Sequence, residues 1–354
     1  MLPGLFYQID LDSNGNRLLT PLEIFDFEEI AKGSSLNTEL IDFSIHNRKK
    51  PSDSLTIEVF DDTRLIYTEP DTTKFLPSGE HTWQWDGYGS DGILDTKILK
   101  SEKLTVVLTA IKDSERQVLK LKLRNKAKEV DWVDVRIDRN TKVAEVTVRP
   151  SFSDGGVEGT GTQTPYADLE QMATRGIEFY WSRSGTRVGG IGGPINTTKG
   201  AYKVQVKADV TVAPKAENFP LIEKLDPDFG RATSLGGFRK VYHNVGKFLS
   251  LGWLRQDADE DFKHTAAHEF GHLILNRYGG GWPIPNYSWG HKGSSTVVTQ
   301  EPLEHHPIPA SGEIDLMEYH SDKISNLLDY WGRSVAAEQD VKGLIWLTRI
   351  DFND

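Results

Sequence analysis

Asp261-Phe262-Lys263-His264-Thr265-Ala266-Ala267-His268-Glu269-Phe270-Gly271-His272-Leu273-Ile274-Leu275 holds two histidines four residues apart, with a glutamate directly after the first. Apolar Ala267, Phe270, Leu273 and Ile274 behind them predict a helix. On a helix, positions i and i+4 lie one above the other, about 6 Å apart along the axis, so His268 and His272 can aim imidazole nitrogens at one ion. Glu269, one step round, reaches water beside such an ion rather than the ion. Three fixed positions match by chance somewhere in a chain of this composition with a probability of roughly 0.02. The stretch therefore reads as a metal-binding helix, with zinc the expected ion. His264 lies about 12 Å along the axis from His272, too far to share that ion. It reads as a partly exposed first-turn residue, or else as a contact to a ligand or substrate.

A third ligand has to come from downstream. His291, in Tyr287-Ser288-Trp289-Gly290-His291-Lys292-Gly293-Ser294-Ser295, follows Gly279-Gly280-Gly281, glycines that let the chain turn back at the helix end. Glu313 is the alternative, giving two histidines and one carboxylate. Glu301, His305 and His306 are further candidates, the adjacent histidines reading mainly as surface. Ile314-Asp315-Leu316-Met317-Glu318-Tyr319 sets a methionine two residues before a tyrosine. Met317 and Tyr319 also read as ordinary packing residues.

His268-Glu269-Phe270-Gly271-His272, with Ile314 to Tyr319, resembles the zincin metallopeptidases, and the second segment is similar to the Met-turn of the metzincins. The resemblance implies zinc-dependent hydrolysis of peptide bonds by an activated water. His268, His272 and His291 would be the metal ligands, Glu269 the general base and Tyr319 the donor to the developing oxyanion. The short metzincin continuation is absent, because Leu275 and Tyr278 stand where it has glycine and histidine. A branch with an insertion before the third ligand remains compatible. Ala267 to His272, His291 to Ser295 and Ser311 to Tyr319 together resemble metallopeptidase effectors of bacterial type VI and polymorphic toxin systems. That likeness implies export by a specialised secretion apparatus and a cognate immunity protein that occludes the cleft.

Between Asn37 and Asn125, short β-branched runs alternate with turn signals: Ser54 to Phe60, Arg64 to Thr68, His81 to Trp85, Leu104 to Ile111 and Val118 to Leu123. Such spacing predicts an antiparallel sandwich. Trp83-Gln84-Trp85-Asp86-Gly87-Tyr88 resembles the Trp-Asp-Gly turn of immunoglobulin-like modules such as that of the flagellar hook-capping protein, which implies a scaffold. Its aromatics read as core and corner residues, with a sugar platform as the alternative. Ahead of it, Thr20, Pro21 and Glu23 predict a helix fading at Gly33. The loop Asp10-Leu11-Asp12-Ser13-Asn14-Gly15 reads as an Asx-rich turn or a calcium loop, but loop position 12 is Pro21 where an EF-hand needs a glutamate.

After Val130, Val133-Val135-Ile137 and Ala144-Val146-Val148 predict a hairpin around Arg139-Asn140. Thr164 and Pro165 then open a helix with Leu169, Met172, Ala173, Ile177, Tyr180 and Trp181 on one face. Strict alternation predicts a strand from Tyr202 to Val212, and a last helix spans Ser334 to Thr348. Glycine-rich Ser153 to Gly161 and Gly185 to Gly193 read as loops. The expected fold is thus multi-domain: a loop–helix segment at 1–35, an all-β immunoglobulin-like sandwich at 36–128, and an α+β zincin-type metallopeptidase domain at 129–354.

Composition narrows the classes. The 354 residues include no cysteine, which excludes disulfides, thiol nucleophiles and iron–sulfur clusters. A net charge of −11 without a long basic run disfavours nucleic acid and anionic membranes. No apolar run is long enough to predict membrane insertion, and Met1 to Asp10 does not read as a signal peptide. Synthesis in the cytoplasm is expected, with a protein or peptide substrate. Two other classes stay open: a zinc hydrolase of cell-wall amides, and a binding or adaptor protein with structural zinc.

Overall fold

The computed structural model describes residues 6–27, 39–127, 130–233, 239–279, 287–294, 301–322 and 324–353. The chain is rich in strands, with fewer helices. In the N-terminal region these are β1 (Tyr7–Leu11), β2 (Leu18–Leu19), β3 (Ile41–Asn47), β4 (Ser54–Asp61), β5 (Arg64–Thr68), β6 (Gly79–Trp85), β7 (Ile93–Asp95), α1 (Thr96–Leu99), β8 (Leu104–Lys112), β9 (Glu115–Lys122) and β10 (Arg124–Asn125). Two antiparallel sheets result, ordered β1-β3-β6 and β5-β4-β8-β9. Along β3 and β8 every second side chain is buried, so each sheet turns an apolar face inward. Trp83 and Trp85 are fully buried, and Phe43 packs on Trp83 with ring centroids 4.5 Å apart. These aromatics are core residues.

The remaining elements are β11 (Val133–Asp138), β12 (Val143–Val148), β13 (Ser151–Glu158), α2 (Tyr166–Trp181), β14 (Ile195–Thr197), β15 (Gly200–Ala208), β16 (Asn218–Lys224), β17 (Val241–His243), α3 (Val245–Ser250), α4 (Arg255–Tyr278), α5 (Tyr287–Gly290), β18 (Ile314–Asp315), α6 (Leu327–Arg333), β19 (Ser334–Val335), α7 (Glu338–Trp346) and β20 (Ile350–Asn353). The β11–β12 hairpin continues through a parallel β12–β15 pair into a five-stranded sheet, β14-β15-β12-β11-β7. A parallel trio, β13-β16-β17, lies beside it in sequence. Among the described residues no helix is long and apolar enough to cross a membrane.

Several expectations are corrected. Of the segment expected at 1–35, the described residues 6–27 do not stand apart, because β1 pairs with β3 from Tyr7↔Asn47 to Leu11↔Phe43. The helix expected at Thr20 is a single 3-10 turn, Pro21–Glu23, without a Thr20 side-chain cap. Leu22 and Glu23 there take positive φ, with Pro21 and Leu22 buried, so packing overrides the capping signal; the rest of that prediction, 28–33, lies outside the described residues. Asp12 accepts the Asn14 N–H at 2.9 Å, an Asx turn. Ser153 to Glu158 belongs to β13 rather than a loop, with an irregularity between Asp154 and Val157. Thr164 does not cap α2, since its N–H and hydroxyl both go to Glu223, at 2.7 and 2.6 Å. The strand from Tyr202 stops at Ala208, where an Asp209–Thr211 turn follows. Ser334 and Val335 form β19, and the last helix begins only at Glu338.

The two regions are joined rather than strung apart. β7 pairs with β11, and β20 returns to pair with both β2 and β10. One hydrophobic core accordingly runs from Tyr7 to Phe352, and two of the sheets cross the expected boundary near 129.

Candidate metal centre

α4 carries His268, Glu269 and His272, and its position is set from both sides. On one side it crosses α2 at Gly176, where an added Cβ would lie 2.2 Å from the Lys263 carbonyl oxygen; only a glycine permits that approach. Trp181 fixes the register by donating its indole N–H to the Ala267 carbonyl at 3.1 Å. On the other side α7 supplies Trp346, edge-on to Tyr278 with centroids 5.4 Å apart. Leu273, Ile274 and Leu275 are buried, so this helix is enclosed rather than amphipathic at the surface.

One ligand atom each from His268, Glu269 and His272 lies within 4.8 Å of the others. His268 Nδ1 is 2.7 Å from the Leu316 carbonyl and donates to it, which turns the Nε2 lone pair toward the cleft. His272 is buried, its Nδ1 next to the Gly290 carbonyl but without a hydrogen bond to it. The His291 ring stacks on His272, with centroids 4.3 Å apart. The Tyr319 hydroxyl sits 3.2 Å from both His268 Nε2 and His291 Nδ1.

Electrostatics keep the imidazoles neutral. Burial, only partly offset by the Leu316 hydrogen bond, lowers the pKa of His268. Burial, then the neighbouring His268 and His291, holds His272 well below its ordinary value. His291 is pulled down to about 4 by burial and by His268. Neutral imidazoles with a carboxylate alongside are a donor set that could hold a divalent transition metal.

The structure separates the downstream candidates. Glu313 is turned away, its two oxygens 3.0 Å from Arg183 Nη2 and one of them accepting the Gly192 N–H at 2.9 Å. His306 pairs with Glu318 at 2.9 Å, and Glu301 is exposed. His264 is not in a first turn, because α4 begins at Arg255; its ring stands edge-on to Tyr180 at 5.2 Å and tilts against Tyr330 at 5.4 Å. Gly280 and Gly281, expected to turn the chain, lie outside the described residues.

Sequence reasoning missed what aligns His291 and Tyr319. The Tyr319 N–H donates to the Lys292 carbonyl at 2.8 Å, joining the two segments. Gly293, at φ +71°, allows this, since a Cβ there would fall 2.4 Å from the Tyr319 carbonyl oxygen. Lys292 Nζ then reaches Asp315 at 2.8 Å and both oxygens of Asp340 at 2.7 Å. Asp315 also accepts the Met317 N–H at 2.9 Å, holding the turn beneath α4. A lone lysine and two distant aspartates carry no spacing signal that reveals this trio. Beside the histidines, a cleft of about 250 Å³ is lined by His264, Thr265, His268, Glu318, Tyr319 and Tyr330 among others.

Comparison with protein-family models, with curated proteins and with solved structures finds no match to this chain.

Proposed function

We propose that the chain is a zinc-dependent peptidase of the zincin type, carried with an immunoglobulin-like β-sandwich. The observation that carries this reading is that His268, Glu269 and His272 set one ligand atom each within 4.8 Å of the others, His291 stacks on His272, and the Tyr319 hydroxyl lies 3.2 Å from both His268 and His291, with His268 and Tyr319 lining an open cleft. His268, His272 and His291 would hold zinc. When bound, zinc supplies Lewis acidity, polarising a scissile carbonyl and lowering the pKa of water to about 7. Glu269 takes the proton of the attacking water and passes it to the leaving amine. Tyr319 donates its hydroxyl hydrogen to the oxygen that gains charge. The cleft walls align an extended peptide beside these groups. Delivery as an antibacterial effector, with an immunity protein covering the cleft, follows from the resemblance of the segments around His268, His291 and Met317.

The experiment is hydrolysis of unfolded casein and of purified peptidoglycan by wild type and Glu269→Gln, with zinc content measured on both. Casein cleavage that chelation stops, and that falls at least 100-fold in Glu269→Gln with zinc retained, is the expected result. Release of cell-wall fragments without casein cleavage would assign the site to non-peptide amides. No turnover on either, with zinc held equally by both proteins, would leave a structural metal and overturn the peptidase.

A further inference from the structure

We propose that His306, Glu318 and His320 form a second zinc-class metal site, distinct from the one on α4 and independent of the peptidase reading. Glu318 and His320 flank Tyr319 in the chain. Tyr319 faces His268 and His291, while its two neighbours face His306. His306 Nε2 lies 2.9 Å from Glu318 Oε1, and the His306 and His320 rings are nearly parallel, at 6°, with centroids 5.3 Å apart. One ligand atom from each residue falls within 4.8 Å of the other two. Ligands around a tetrahedral zinc stand about 3.3 Å apart, given metal–ligand distances near 2.0–2.1 Å. The His306–Glu318 pair is already inside that span, and His320 offers a nitrogen within 4.8 Å of both.

His320 points to a ligand on its own account. Both its ring nitrogens are covered from solvent, and neither makes a hydrogen bond of good geometry among the described residues, with the Pro307 backbone interacting with the ring at close range. Buried polar atoms without partners are rare, and a metal ion beside one is a standard resolution. Two imidazoles and a carboxylate suit zinc better than magnesium or calcium, which prefer oxygen donors throughout.

The backbone holds the three residues in place. His306 N–H donates to Ser321 Oγ at 3.1 Å, and Ser321 N–H returns to the His306 carbonyl at 2.8 Å. Gly293 completes the packing, since a Cβ there would lie 2.9 Å from the His306 ring. An ion at this point ties the His306 loop to the Tyr319 turn, against which Gly293 packs.

The test is zinc content per chain, by elemental analysis after loading with zinc chloride and exhaustive dialysis, in wild type, His268→Ala/His272→Ala, and that double variant with His320→Phe. Two equivalents, then one, then none is the expected series. Cobalt(II) in the double variant should give tetrahedral absorption bands that His320→Phe abolishes. If the double variant does not fold, His320→Phe in the wild-type chain decides, with a fall from two equivalents to one expected. One equivalent in wild type and none in a folded double variant would overturn the proposal and leave His306–Glu318 as an ordinary ion pair, as would His320→Phe binding as much zinc as wild type. One equivalent in wild type that the double variant keeps and His320→Phe removes would support this site while overturning zinc at His268 and His272.

Discussion

A Cβ on Gly271 would lie 2.4 Å from Met317 Sδ and 2.8 Å from Trp181 Cζ2. The helix bearing His268 and His272 thus rests on a methionine and a tryptophan, at a position within the histidine motif itself. Gly271→Ala overpacks this contact and should cost about 1–3 kcal/mol, outweighing the helix propensity that alanine adds. Met317→Leu keeps the volume and should cost less than about 1.5 kcal/mol. Urea denaturation of both variants checks the order, and equal stability would mean that the methionine merely fills space.

His291 and Glu313 separate by metal content. His291→Ala should lose one zinc equivalent relative to wild type. Glu313→Ala should lose none, but it leaves buried Arg183 without its carboxylate and should lower the melting temperature by several degrees. Elemental analysis with thermal denaturation reads both, and the reverse pattern would reassign the ligand.

Lys292 sits between Asp315 and fully buried Asp340. Burial pulls the lysine pKa down, but the two carboxylates outweigh it and hold the ammonium above its ordinary value. Lys292→Met strands both aspartates and should cost about 3–5 kcal/mol, with weaker zinc binding because the His291 segment loses its anchor. Adding Asp340→Asn should recover part of the stability. Chemical denaturation and competitive zinc titration measure the two effects, and an unchanged zinc affinity would confine Lys292 to stability.

Stability should fall in acid because folding keeps histidines neutral. Burial, then His268, pulls His264 down to about 3, and burial with His268 pulls His291 to about 4, from an ordinary 6.5. Below about 6.5 the unfolded chain binds protons that the folded chain refuses. The stabilisation is therefore complete above 6.5 and is lost as the pH falls toward 3, at about 1.4 kcal/mol per pH unit for each group. His264→Phe keeps the ring packing on Tyr180 and Tyr330 and should flatten this slope. Urea midpoints from pH 7 to 4.5, with chelator present, check it; parallel slopes would show that His264 already protonates in the folded state.

Local spacing was enough to place His268, Glu269 and His272 on one helix, to draw the strands from Ser54 to Lys122 nearly to length, and to read Trp83 and Trp85 as core. Each of these depends on the 3.6- or 2-residue period of side chains along a single element. Alternation could not say that β1 belongs to the sheet of β3, or that β20 returns to β2 and β10, because pairing joins residues far apart in the chain. Capping signals at Thr20 and Thr164 misled for a related reason: a buried turn and the Glu223 carboxylate offered better partners.

From the sequence alone, two histidines and a glutamate at helical spacing already place three candidate ligands together on one helix, since that geometry is local. The choice between His291 and Glu313, the anchoring of Tyr319 by Lys292, and the meeting of His306 with His320 were left to the tertiary structure. Loop closure, burial and the pairing of Arg183 with Glu313 decide which side chains reach a common point, and no residue type or spacing encodes that outcome in one stretch of chain.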